Sequence, residues 1–118
     1  MAIIMHFDLS SLTAMCGGDP QFMRDFITLF VETTPPNIEQ IKELRKTGNW
    51  HEVGEILHKI KPTAELFGMM HIHGEIKLAE QAGRNGRDLD KIEGWLDHII
   101  PSLEEAIEEL KLEVQKYN

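Results

Sequence analysis

The chain has 118 residues, of which 42% are hydrophobic and 27% charged, and its formal net charge is −8. These values predict one globular domain over residues 1–118, with no intrachain disulfide because Cys16 is the only cysteine. The acidic charge disfavours nucleic acid and anionic membranes as partners, and no apolar run reaches the roughly 20 residues of a spanning helix, so we expect a cytoplasmic protein.

The first half of the chain shows the helical period. A short helix is predicted from Leu9 to Cys16, where Gly17 interrupts it. Asp19 followed by Pro20 predicts the start of a second helix, because proline is favoured at the first helical position. The predicted apolar stripe of this helix consists of Phe22, Phe26, Leu29, Phe30, Ile38, Ile41 and Leu44.

Prolines and glycines divide the middle of the chain. The Pro35-Pro36 pair is expected either to kink the second helix or to divide it in two, and Gly48 is expected to end it. Asn49 is a suitable cap for a third helix that runs to about Phe67, with Gly68 closing it.

Two more helices complete the prediction. A fourth helix runs from near His71 to Ala82, and the segment Gly83–Gly86 is predicted to form a turn. The last helix runs from about Leu89 to Gln115 with Pro101 inside it. Its predicted apolar stripe consists of Trp95, Ile99, Leu103, Ile107, Leu110 and Val114. The predicted fold is all-α: an antiparallel up-and-down four-helix bundle with a short extra N-terminal helix.

The third helix carries a histidine on its polar side. On a wheel of about 100° per residue with Ile60 at zero, His58 falls at roughly 160°. The side chain should therefore face solvent, where a neutral imidazole is a usable nucleophile near pH 7. The residues that define the opposite, buried face are Val53, Ile56, Leu57, Ala64 and Phe67.

Several neighbours of His58 on the outer face suggest roles. Lys61 lies one turn further on and could offer positive charge to a bound anion such as a phosphoryl group. Gly54 either provides clearance around the imidazole or is simply a tolerated glycine. Glu55 either orients a ring nitrogen of His58 or only faces solvent.

The segment Leu57–Gly68 resembles the phosphoacceptor helix of histidine-containing phosphotransfer (HPt) domains. The family pattern has a histidine, an apolar residue two positions on, lysine at three, glycine at four, small residues, and glycine at ten. The chain matches it at His58, Ile60, Lys61, Ala64 and Gly68. The resemblance extends over nearly the whole chain, including the segment Gly17–Phe30 and the predicted Gly83–Gly86 turn.

The resemblance implies a phosphorelay intermediate without enzymatic turnover of its own. His58 would accept a phosphoryl group from the aspartyl phosphate of a receiver domain and pass it to another receiver, while Lys61 would stabilise the phosphoryl group. The implied partners are response-regulator receiver domains and a hybrid sensor histidine kinase. Mg²⁺ is expected on the receiver, with no cofactor on this chain, which we expect to be a monomer. The implied docking surface consists of Gly54, Glu55, Lys59, Pro62, Glu65 and Gly68.

Pro62 departs from the family pattern, which usually has glycine there. Proline adds bulk where a receiver would approach, so an alternative function is a receiver-binding adaptor that transfers poorly. A third possibility is an inert bundle that dimerises through an exposed apolar patch. A metal site is not expected at His71 and His73, because residues two apart on a helix point about 160° away from each other.

Overall fold

The computed structural model of the protein describes residues 6–117, and its regular structure within that range is helical throughout. This confirms the all-α prediction. The helices are α1 (Ser10–Cys16), α2 (Pro20–Lys46), α3 (Trp50–Leu66), α4 (Met70–Asn85) and α5 (Leu89–Glu113), followed by a 3-10 turn at Val114–Tyr117.

The four long helices form an antiparallel bundle. Successive helices are joined by links of only three residues, at 47–49, 67–69 and 86–88, so each helix runs back along its predecessor. α3 packs mainly against α4, α5 closes the bundle between α4 and α2, and α1 lies against α2. The predicted bundle with a short extra N-terminal helix is confirmed.

Local hydrogen bonds explain where the first two helices begin. Asp19 Oδ1 accepts from the backbone N–H of Gln21 at 2.9 Å and of Phe22 at 3.3 Å, which caps α2 as the Asp-Pro pair predicts. Asp8 Oδ1 accepts from the N–H of Ser10 at 2.8 Å just before α1. α1 begins at Ser10, one residue after the predicted Leu9, which is its N-cap and makes no capping hydrogen bond through its side chain.

The Pro35-Pro36 pair does not divide α2, which is continuous from Pro20 to Lys46. Buried side chains before and after the prolines pack against the bundle, and this packing stabilises the helix across the missing hydrogen bonds. The predicted apolar stripe was wrong at Phe22 and Leu29, which are more than half exposed. The buried face of α2 consists instead of Met23, Ile27, Phe30, Thr34, Ile38 and Ile41.

The end of α4 differs from the prediction. Instead of ending near Ala82, the helix continues through Asn85, and only Gly86, with φ of +66°, terminates it. Gly83 is thus helical, and it lies where α4 approaches the backbone of α3 so closely that no side chain would fit. At the other end of the bundle, the last α-helix stops at Glu113 and the 3-10 turn replaces its predicted final residues.

The buried face predicted for α3 is confirmed. Val53, Leu57 and Ala64 are fully buried, and the other predicted members of this face are at most 7% exposed. On α5, the middle of the predicted stripe is buried, whereas Trp95 and Val114 at its ends are only partly buried. No helix within residues 6–117 is long and apolar enough to cross a membrane.

Candidate functional site

His58 lies in the middle of α3 on the side opposite the core, and 53% of its side chain is exposed. The adjacent helix α4 supplies its ring contacts. Nδ1 of His58 lies 2.7 Å from Oε1 of Glu80, whereas no described residue forms a hydrogen bond with Nε2. One edge of the imidazole is therefore held by the protein and the other faces solvent.

Glu80 is a buried carboxylate, with only 5% of its side chain exposed. Burial alone would raise the pKa of Glu80, but the positive charge of Lys61 and the hydrogen bonds from His58 and Arg84 outweigh this effect. The pKa of the carboxyl group is consequently lowered from its ordinary value, and the group is ionised near neutral pH.

The ionised carboxylate determines which nitrogen of His58 carries the proton. A carboxylate can only accept hydrogen bonds, so Nδ1 must donate to it. In the neutral ring, Nε2 then holds the free lone pair. The contact with Glu80 thus directs the nucleophilic nitrogen of His58 toward solvent.

Lys61 reaches the same carboxylate from α3. Its Nζ lies 2.7 Å from Oε2 of Glu80, and 28% of the side chain is exposed. The two groups form an ion pair and not a well-aligned hydrogen bond, because Oε2 of Glu80 has no hydrogen-bond partner among the described residues. An ammonium group has three donors, so Lys61 can contact Glu80 and still offer N–H groups to an anion beside His58.

Arg84 links the carboxylates around the site. Its NH1 lies 3.2 Å from Oε1 of Glu80 and 3.3 Å from Nδ1 of His58, while its Nε lies 3.0 Å from Oε1 of Glu55. Glu55 was predicted either to orient the His58 ring or only to face solvent. It does neither, because it pairs with Arg84, and Glu80 contacts the ring instead.

Gly54 was predicted to lie on the exposed face beside the imidazole. That prediction was wrong, because Gly54 is buried under α4. A Cβ on Gly54 would lie 2.9 Å from Cγ of Arg84 and 3.0 Å from the carbonyl oxygen of Glu80. Across the interface, a Cβ on Gly83 would overlap the carbonyl oxygen of Trp50. The two glycines let α3 and α4 approach closely, which brings Glu80 and Arg84 to His58.

The rest of the predicted docking surface is only partly on one face. Lys59, Pro62 and Glu65 are exposed along α3. Gly68 lies in the following turn with φ of +64°, where an added Cβ would overlap the backbone of Asp8. The positive φ and this close approach explain the glycine, so Gly68 belongs to the turn and not to the exposed helix face.

Glu80 and Arg84 were not among the predicted site residues. A signal for Glu80 is present in the sequence, because it is an acidic residue within the buried face of α4, between Ala79 and Gly83. Buried acidic residues usually have partners, so this position could have indicated one. Arg84 could not be found, because the segment that contains it was predicted to be a turn.

The site combines an exposed imidazole, a buried carboxylate and two cations. This arrangement suits nucleophilic attack by Nε2 on an electrophile that carries negative charge. Within residues 6–117, no three histidine, cysteine, aspartate or glutamate side chains are grouped so that they could hold a metal ion.

Comparison with known protein families matches residues 25–115 to the Hpt domain. Neither the curated proteins nor the solved structures contain a match to the chain. The family match covers well over half of the chain and includes α3, α4 and α5 in full. Members of this family are helical phosphocarriers that act in phosphorelays by histidine phosphotransfer. The chain belongs to the Hpt domain family.

Proposed function

We propose that this protein is a phosphorelay intermediate in which His58 accepts a phosphoryl group from the aspartyl phosphate of one receiver domain and passes it to another. The observation that carries the proposal is the 2.7 Å contact between Nδ1 of His58 and Glu80, which leaves Nε2 exposed. A receiver domain or a hybrid sensor histidine kinase can then reach the nucleophile from solvent.

The transfer requires no reactive group other than the imidazole of His58 and the aspartyl phosphate of the receiver. The lone pair of Nε2 attacks phosphorus, the bond between phosphorus and the aspartyl oxygen breaks, and its electron pair leaves with the carboxylate of the receiver. The imidazole, now substituted at Nε2 and protonated at Nδ1, is positively charged. Glu80 stabilises that charge across the hydrogen bond, and transfer to the second receiver reverses these steps.

The cations supply the electrostatic part of the reaction. Lys61 is assigned to stabilise the phosphoryl group, because it lies one turn from His58 and is held toward the site by Glu80. Mg²⁺ is assigned to the receiver, where it would neutralise the aspartyl phosphate. Arg84 pairs with both Glu55 and Glu80, so its first role is to hold these carboxylates in place.

Labelling by a phosphorylated receiver domain tests the acceptor. The wild-type chain should acquire phosphate that is labile in acid and stable in alkali, and His58→Gln should acquire none. His98→Gln is the matched control, since Nδ1 of His98 also lies 3.1 Å from a carboxylate oxygen of Glu75 and its side chain is 74% exposed. Undiminished labelling of His58→Gln would refute the assignment.

The same experiment distinguishes the adaptor from the phosphocarrier. Pro62 is exposed on the helix face that carries His58, where its bulk would meet a docked receiver. This position favours the alternative function, an adaptor that binds receivers but transfers the phosphoryl group poorly. Such an adaptor would bind a receiver without being labelled, and Pro62→Gly would restore labelling.

A further inference from the structure

Pro62 lies inside α3, four residues after His58, and is exposed. Residues four apart on a helix are neighbours, with Cβ atoms about 5–6 Å from each other. Proline has no backbone N–H, so position 62 cannot donate the helical hydrogen bond that the carbonyl oxygen of His58 would normally accept. The residue that carries the imidazole therefore also presents a backbone acceptor without its usual partner.

No side chain within residues 6–117 supplies a replacement donor for this carbonyl, since Glu80 and Arg84 approach only the ring of His58. His58 and Pro62 are both exposed residues, so water can reach this part of the helix in the free protein. A partner that covers the face removes this water and must replace its hydrogen bond, because a buried carbonyl without a donor is costly.

Charge on the same face indicates which donor fits. At about 100° per residue, Pro62 and Glu65 lie within roughly 40° of His58 on the wheel. Lys61 is about 60° away, but its charge is already paired with Glu80 at 2.7 Å. Glu65 is 66% exposed, and no lysine or arginine within residues 6–117 forms an ion pair with it. A carbonyl and a carboxylate on one strip of the helix favour a cationic donor.

We propose that the carbonyl oxygen of His58, freed by Pro62, is a docking acceptor for a lysine or arginine side chain of the receiver domain. The identity of the partner rests on the proposed function. Pro62 is then a specificity-determining residue, because receivers without a donor at this position leave the carbonyl unpaired in the complex.

Two substitutions separate the missing N–H from the bulk of the proline ring. Pro62→Ala restores the N–H and removes most of the bulk, whereas Pro62→Val restores the N–H and keeps a branched side chain. Both should weaken binding of an unphosphorylated receiver domain about tenfold, since the restored helical bond occupies the carbonyl. The probes are purified receiver domains encoded in the same genome, with dissociation constants measured by calorimetry.

Pro101→Ala is the matched control, because Pro101 is also an exposed proline inside a helix but lies on α5. It should leave receiver binding unchanged, and thermal melts of all variants should show intact folding. Weakening by Pro62→Ala alone would mean that the ring itself makes the contact and would overturn the proposal. Unchanged or tighter binding by both Pro62 variants would overturn it too.

A double-mutant cycle identifies the donor. Replacing the relevant lysine or arginine of the receiver by methionine should weaken binding to the wild-type chain and abolish the further effect of Pro62→Ala. If no lysine or arginine of the receiver couples to Pro62, the proposal fails. Continued labelling of His58 in that case would leave the proposed function intact, so the two failures are distinguishable.

Discussion

Glu80 connects His58 with the basic side chains around it. Its carboxylate accepts from Nδ1 of His58 and lies 2.7 Å from Nζ of Lys61, so one buried group orients the ring and holds a cation beside it. Arg84 adds a third contact to this carboxylate, with its NH1 3.2 Å from Oε1 of Glu80. These contacts make a buried charge acceptable in this position, since a lone carboxylate there would be neutralised by a raised pKa.

Glu80→Gln should slow labelling of His58 by a phosphorylated receiver about 10-fold to 100-fold. The amide oxygen can still accept from Nδ1, but it carries no charge to stabilise the positive ring that forms on transfer. Initial rates of labelling measure the effect. Glu75→Gln is the control, because it removes the same kind of contact from His98, and its rate should equal that of the wild type. Equal rates for Glu80→Gln and the wild type would exclude the assigned role.

The close approach of α3 and α4 places the site residues together. Gly54 and Gly83 face each other at this crossing, and an added side chain on either would meet the backbone of the other helix. α4 continues as a helix to Asn85, and its last turn positions Arg84 above Gly54. The glycine at position 54 thus affects His58 indirectly, by allowing the carboxylate of Glu80 to lie within reach of the ring.

Gly54→Ala should destabilise the fold by about 1–3 kcal/mol, because backbone atoms of α4 must move to admit the methyl group. Gly74→Ala is a matched control inside α4, since its added Cβ would have no neighbour within 4 Å. That substitution should stabilise the protein by about 0.5–1 kcal/mol through helix propensity. Urea unfolding followed by circular dichroism measures both. A stabilising effect of Gly54→Ala would contradict the close approach.

The remaining elements hold the α3–α4 pair in place. α2 and α5 cover its inner side, and cross-helix pairs such as Lys42 with Glu104, at 3.1 Å, join them at the surface. Near the other end of α3, Phe7 is buried and the N–H of Asp8 donates to the carbonyl of Phe67 at 2.9 Å. The predicted monomeric state stays a prediction.

The free energy of unfolding of the whole molecule should depend on pH through the charged contacts of Glu80. The pKa of Glu80 is lowered in the folded protein from an ordinary value of 4.5. Its contribution to the free energy of unfolding is therefore present above about pH 4.5 and is lost as the pH falls through the lower, folded pKa.

Urea unfolding of the wild type and Glu80→Gln at about pH 5 and about pH 2.5 measures this contribution. The two proteins differ only at residue 80, so the change with pH in the difference between them reports on this carboxyl group. The wild type should be the more stable protein at the higher pH, and the difference should shrink at the lower pH. A difference that grows on acidification would contradict the sign of the pKa shift.

The sequence by itself determined the helical fold, the buried face of α3 and the exposure of His58. These follow from the period of apolar residues within one helix, which depends only on near neighbours in the chain. The orientation of the imidazole did not follow. Glu80 is 22 residues from His58 in the chain, so only packing of α4 on α3 could bring the two together.

Tertiary structure also decided the roles of the glycines and of Glu55. A single-helix wheel places Gly54 beside the imidazole but contains no information about the helix that lies over it. Most of the segment that was predicted to be a turn is instead the last turn of α4. The close packing allowed by Gly54 and Gly83 places Arg84, in that turn, against Glu55. The physical reason is that contacts between helices depend on the shape and distance of both partners, whereas periodicity describes only one.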